Sequence, residues 1–119
     1  MGAALAGRPA TVYGDGEQSR DFTYVQDVVE ASMLAMDSAG AQGRVFNVAC
    51  GHRITVDRFL DELRALTGGE LAVEHVEARP REVRHSEADI SLARELLGYA
   101  PRFELRDGLE RTLEPLPVA

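Results

Sequence analysis

Thr11-Val12-Tyr13-Gly14-Asp15-Gly16-Glu17-Gln18-Ser19-Arg20-Asp21-Phe22-Thr23-Tyr24-Val25-Gln26-Asp27-Val28-Val29 is where the chain changes its period, and the change decides the fold class. Residues 11–13 and 20–25 read as two short extended pieces flanking a turn that Gly14 and Gly16 make available. Side chains alternate faces in extended backbone, so Arg20, Phe22 and Tyr24 are expected to share one side and Asp21 and Thr23 the other. A guanidinium would then lie on the same surface as an aromatic ring. From Val25 the spacing becomes three and four: Val25, Val28, Val29, Ser32, Met33 and Met36 predict one amphipathic helix, stopped by Gly40 and Gly43. The Val28, Met33 and Met36 stripe is expected to face the core.

The opening residues Met1–Ala6 read as part of a helix, and Arg44–Ala49 as a strand in which Val45, Phe46 and Val48 are β-prone. Thr55 predicts the N-cap of a helix carrying the stripe Val56, Phe59, Leu60, Leu63 and Leu66, with Gly68-Gly69 as its stop. Leu71–Val76 alternates as a strand does, and the polar, proline-interrupted stretch 77–88 reads as a loop. Asp89 is placed to cap a helix over Ile90, Ala93, Leu96 and Leu97 that ends at Gly98. Leu105, Leu109 and Leu113 mark a last helix before Pro115. Strands and helices alternate without repeat or linker, which predicts one small mixed α/β unit over 1–119.

Composition narrows the partners. With 119 residues, 45% of them apolar, the chain supports one modest core and not two domains. A net charge of -7 excludes a nucleic-acid or anionic-membrane surface over most of the exterior. The opening residues Met1–Ala6 have neither a basic leader nor an apolar run long enough for a signal peptide or a membrane span. Cys50 is the only cysteine, so no internal disulfide forms, and a cytoplasmic setting is expected. All 13 basic residues are arginine, and every mechanism that needs a lysine in this chain is excluded.

Against that acidic background, Ala78-Arg79-Pro80-Arg81-Glu82-Val83-Arg84-His85 gathers three arginines in eight residues. One reading is an anion site, because the guanidinium fork matches phosphate oxygens. The other is a solvated loop whose arginines pair with nearby carboxylates. Composition leaves both open. Asp21 and Asp27 read as braces for the helix that follows, acting through its N-terminus, and Asn47 as a hydrogen-bonded structural residue. His52, His75 and His85 lack metal-ligand spacing, and Cys50 reads as a small packed side chain.

The ordered series of short motifs resembles one family. Gly7-Arg8-Pro9 followed by Gly14 to Val29 is similar to the GxP…GDGxQxRDFxYVxDVV pattern of extended short-chain dehydrogenases/reductases, the NAD-dependent epimerase/dehydratase family. Phe46-Asn47-Val48-Ala49-Cys50-Gly51 resembles its FNVGxG run, Thr55-Val56 its SV helix start, and Arg79-Pro80-Arg81-Glu82-Val83 its RPGDV. Ala88-Asp89-Ile90 resembles ADI, and Leu97-Gly98-Tyr99-Ala100-Pro101 resembles LGYxP. The resemblance implies a small C-terminal lobe that closes over a nucleotide-diphospho-sugar held against a Rossmann domain. It implies that Arg20 and Arg79 contact the diphosphate, that Phe22 lies beside the nucleotide, and that Glu82 stands near sugar or ribose hydroxyls. Two positions depart from the pattern: Arg81 replaces a glycine, and Glu82 is one methylene longer than the usual aspartate.

The chemistry such a family performs needs a glycine-rich strand-to-helix turn for the dinucleotide. It also needs a tyrosine with a lysine four positions on, the lysine lowering the tyrosine pKa for proton exchange. Gly14-Asp15-Gly16 leads into an extended piece rather than a helix, and Tyr13, Tyr24 and Tyr99 are followed four residues later by Glu17, Val28 and Phe103. We therefore assign no catalytic, cofactor-binding or metal-ligating residue to the chain, and NAD is expected only in a complete enzyme. Three readings follow: a part of a nucleotide-sugar epimerase or dehydratase completed by an N-terminal Rossmann partner, a non-catalytic nucleotide-sugar-binding or regulatory module, and an inactive truncated product. Self-association through the N-terminal residues and the helix Val25–Ala39 is expected in the isolated chain.

Overall fold

The computed structural model describes residues 2–114. Met1, the first residue of the expected opening helix, and Pro115, the expected end of the last one, lie outside them. A four-residue helix α1 (Gly2–Leu5) precedes strand β1 (Ala10–Tyr13) and the two-residue strand β2 (Ser19–Arg20). Helix α2 (Val25–Asp37) runs into a 3-10 turn (Ala39–Ala41). Strand β3 (Ile54–Thr55) leads directly into α3 (Val56–Thr67), and β4 (Val73–Val76), α4 (Ser91–Leu97) and α5 (Leu105–Leu113) complete the order.

Two small ladders link segments far apart in sequence. β1 pairs with β4 in parallel, Ala10 opposite Val73 through Tyr13 opposite Val76. β2 pairs antiparallel with β3, Ser19 opposite Thr55 and Arg20 opposite Ile54. The arginine-rich loop is drawn to the same place: Ser19 N–H donates to the Arg84 carbonyl at 2.9 Å, Ser86 N–H to the Ser19 carbonyl at 3.1 Å, and Ser19 Oγ meets His85 Nδ1 at 2.8 Å. Gly16 has φ +84°, and a Cβ there would collide with the Asp57 carboxylate, so the turn needs a glycine for both its backbone and its clearance.

α3 forms as its sequence predicts. Thr55 Oγ1 accepts from Arg58 N–H at 3.2 Å, Gly68 ends the helix at φ 91°, and Leu60 and Leu63 are buried against Val12 and Leu71. A second cluster joins Ala31 of α2 with Ala49, Ile90, Ala93, Leu97 and Tyr99, whose hydroxyl donates to the Ala49 carbonyl at 2.9 Å. The N-cap of α4 is Ile90, which makes no side-chain cap bond; Asp89, one residue before it, accepts from Ser91 N–H at 2.9 Å. Asn47 likewise has a structural bond, donating to the Asp89 carbonyl at 3.1 Å.

Four expectations fail, each for a physical reason. Arg44–Ala49 is not a strand, because a strand exists only as a ladder and no neighbouring segment among the described residues pairs with it; Val45 is 88% exposed. The regular alternation expected over 20–25 ends at Arg20, since β3 offers only two residues of partner. Phe22 instead stacks on Phe59 (centroids 4.7 Å apart), and Tyr24 packs edge-on against Phe103. The Val28, Met33 and Met36 stripe is exposed, Met36 at 78%, because α2 turns Asp27, Ala31, Leu34 and Ala35 inward instead. Asp21 and Asp27 do not brace their own helix: Asp21 accepts from the N–H groups of Cys50 and Gly51, both at 2.9 Å, and Asp27 from those of Arg102 (2.9 Å) and Phe103 (3.4 Å).

The two clusters lie in a slab of 48 × 35 × 17 Å. Its radius of gyration, 16.6 Å, exceeds the roughly 13.5 Å of a globule of this length. Its accessible surface, 7819 Å², is likewise larger than the roughly 6,300 Å² expected for 13.0 kDa. The excess is apolar in part: Val25, Val28, Val29, Met33 and Met36 of α2 and Val45 beside it are all exposed.

Candidate functional site

Arg20 closes β2, and the ladder on both sides of that strand holds its side chain near the arginine-rich loop. One terminal nitrogen donates to the carbonyls of Ser19 (2.8 Å) and Arg84 (3.1 Å), and the other reaches Glu82 Oε1 at 3.3 Å. The pair is about one-third exposed on each side. Two of the four residues singled out from the sequence are thus in direct contact.

Arg79 enters from the exit of β4, and its guanidinium carbon lies 3.8 Å from the centroid of the Tyr13 ring at the end of β1. The contact with Tyr13, and more weakly Glu82, holds the Arg79 pKa above its ordinary value. Among the described residues no carboxylate comes within ion-pair distance of it. A short turn carries the chain on to Glu82, whose N–H donates to the Arg79 carbonyl at 3.3 Å. Arg81, where the resembling pattern has glycine, sits in that turn at φ 64°, the left-handed region that side chains disfavour.

Arg84 answers to the other reading of the loop. It grips Asp15 with both terminal nitrogens, at 2.9 and 3.3 Å, and this hydrogen bonding holds the Asp15 carboxyl below the usual carboxylate range. The loop's arginines therefore divide: Arg84 is neutralised by a carboxylate, Arg79 is stacked on an aromatic face and Arg81 sits in the turn, while Arg20 of β2 is shared between main chain and Glu82. Tyr13, Asp15, Ser19 and His85 fix this arrangement, and nothing in the sequence singles them out for it. Their partners are more than 60 positions away, so no local spacing announces the contacts.

Phe22 stands apart. Its ring lines a cleft of about 120 Å³ with Phe59, Phe103, Leu105 and Leu109 that Arg20, Arg79 and Glu82 do not line. Nucleotide-sized ligands need several hundred Å³. Cys50 is buried and poorly disposed to react: burial, then the Asp21 and Asp27 carboxylates, push its thiol up to about 11. Among the described residues no group of three or more metal-ligating side chains converges, and no helix is long and apolar enough to cross a membrane.

Comparison with known proteins agrees with the order of motifs. The family model described as GDP-mannose 4,6 dehydratase matches residues 1–112. A UDP-glucose 4-epimerase of Mycolicibacterium smegmatis is 35% identical over 112 residues, covering 94% of this chain and 36% of that protein. A UDP-glucose 4-epimerase of Thermotoga maritima, solved with UDP-glucose, superposes with a TM-score of 0.86 at 37% identity, over 94% of this chain and 36% of that one. A UDP-glucuronic acid 4-epimerase of Bacillus cereus, solved with UDP-glucuronic acid and NAD, gives 0.83 at 32% identity, over 91% and 35%. The chain spans about a third of the length of these relatives, and its small mixed α/β architecture is consistent with their C-terminal lobe. It belongs to the NAD-dependent epimerase/dehydratase family of extended short-chain dehydrogenases/reductases.

Proposed function

We propose that this chain is the substrate-binding portion of a nucleotide-sugar epimerase or a related enzyme of the family, and that Arg20 and Arg79 take the diphosphate of a nucleotide-diphospho-sugar. The observation that supports this reading is the state of Arg79: a guanidinium in an acidic protein, held on the Tyr13 ring, with no carboxylate partner among the described residues. Arg20 comes from a different segment and meets the same loop through Glu82. Two cations supplied from two segments suit a doubly charged, extended anion. Phe22, two residues beyond Arg20, is the proposed flank on the nucleotide side, and Glu82 the acceptor for a ligand hydroxyl.

The family implies NAD, and the residues of this chain do not fit it. The glycines after β1 lead to β2 and not into a helix N-terminus, so no pyrophosphate cradle of that kind is built. With no lysine, no tyrosine–lysine pair forms within the chain. We assign the dinucleotide and the proton-transfer pair to an α/β partner whose docking would cover the exposed faces of α2 and the 44–48 segment; in its absence self-association would cover them.

Calorimetric titration of UDP-glucose tests the binding reading. Arg20→Ala and Arg79→Ala should each weaken binding roughly ten- to a hundredfold, the value of about 1.5–3 kcal/mol for a charge-assisted hydrogen bond. Equal affinities for the wild type and both variants would remove the assignment.

A further inference from the structure

We propose that Glu82 is a built-in competitor for the phosphate on Arg20, and that it makes the site select a diphosphate carrying a hydroxyl-bearing group over a bare diphosphate. The inference rests on the reading that Arg20 and Arg79 hold the diphosphate.

The geometry behind it is the division of labour on one guanidinium. One terminal nitrogen of Arg20 is committed to the main chain, at the Ser19 and Arg84 carbonyls. The other holds Glu82 Oε1 at 3.3 Å, so the face of Arg20 turned to the loop is occupied by an internal anion. A phosphate oxygen and a carboxylate oxygen carry like charge and cannot share that edge without repulsion. Diphosphate that takes this nitrogen of Arg20 displaces Glu82.

Displacement has a second consequence. Glu82 lies three residues after Arg79, and the turn between them is tied by the hydrogen bond from Glu82 N–H to the Arg79 carbonyl. The released carboxylate therefore stays beside the site, free to accept a hydrogen bond from a ligand hydroxyl. A nucleotide-diphospho-sugar offers hydroxyls that offset the lost ion pair, whereas inorganic pyrophosphate offers none. The extra methylene of Glu82 relative to aspartate gives the side chain the reach to hold Arg20 when the ligand is absent.

Titration of the full chain with inorganic pyrophosphate and with UDP-glucose tests this, using Glu82→Gln, Arg20→Ala and the double variant. Glu82→Gln should bind pyrophosphate roughly two- to fivefold more tightly than the wild type, the worth of a partly exposed ion pair. Its preference for UDP-glucose over pyrophosphate should fall roughly tenfold, because a ligand hydroxyl then meets a neutral amide oxygen in place of a charged carboxylate. In the Arg20→Ala background the pyrophosphate gain should vanish. If the wild type binds and Glu82→Gln binds pyrophosphate no better, or gains as much without Arg20, the competitor role is wrong while the binding reading stands. If neither the wild type nor Glu82→Gln binds either ligand, both fall.

Discussion

Removing the Asp27 carboxylate should unfasten the two ends of the α2 cluster. Asp27 is fully buried, and it spends its two oxygens on the N–H groups of Arg102 and Phe103, 75 and 76 residues away. The 2.9 Å bond is a charge-assisted one, worth about 1.5–3 kcal/mol; the 3.4 Å bond adds less. Asp27→Ala leaves both donors without a partner in a closed site, and relief of the carboxylate's own desolvation offsets part of the loss, so about 3–4 kcal/mol is expected. Asp27→Asn keeps the shape and one acceptor but turns an amide N–H₂ toward a second donor, which should cost about 1.5–3 kcal/mol. Against a total of about 5–15 kcal/mol for a small domain, either change is measurable by urea unfolding, with amide exchange at Arg102 and Phe103 as the local readout. Both variants within about 0.5 kcal/mol of the wild type, with unchanged exchange at those two amides, would refute the argument.

Other outcomes follow from single contacts. Cys50 ionises at about 11 when folded and near 9.0 when exposed, so the raised pKa contributes stability that is complete below 9.0 and lost as pH rises through that window; Cys50→Ser should lack the fall in an alkaline unfolding series. Arg84→Ala should return the Asp15 carboxyl upward toward 3.8, seen by NMR titration, and should remove the part of the acid-induced destabilisation that sets in as pH falls below 3.8 and is complete below the depressed Asp15 value. Arg81→Gly should stabilise the fold by about 0.5–1 kcal/mol in urea, since relief of a left-handed side-chain backbone outweighs the added entropy of glycine in the unfolded chain; a loss instead would mean that the Arg81 side chain holds the turn.

Local features were legible because their causes are local. α3 shows its cap, its stripe and its glycine stop within fourteen residues, and the structure has all three. Asp89 bonds two residues ahead, within sight of any sequence reading. The motif order pointed to the family, and with it to Arg20, Arg79 and Glu82 as neighbours; two of these touch. The sequence could also say that the loop arginines were either anion ligands or half of ion pairs, since a cluster of one charge admits both.

Which arginine took which role was decided only in three dimensions. Arg84 found Asp15, Arg20 found Glu82 and Arg79 found a ring, across separations of 69, 62 and 66 residues, and period or composition carries no information about such pairs. The same limit explains 44–49 and α2. β-propensity at Val45, Phe46 and Val48 is a property of the segment, but a strand is a relation between two segments, and here the second is missing among the described residues. The apolar spacing of α2 marks two sides of one helix, and packing chose the side with Asp27 and Ala31, because the Arg102 and Phe103 amides needed a carboxylate and the cluster around Tyr99 had room only for a small residue. Periodicity determines what a face is made of; whether anything covers it depends on the shape and hydrogen-bonding needs of whatever lies opposite.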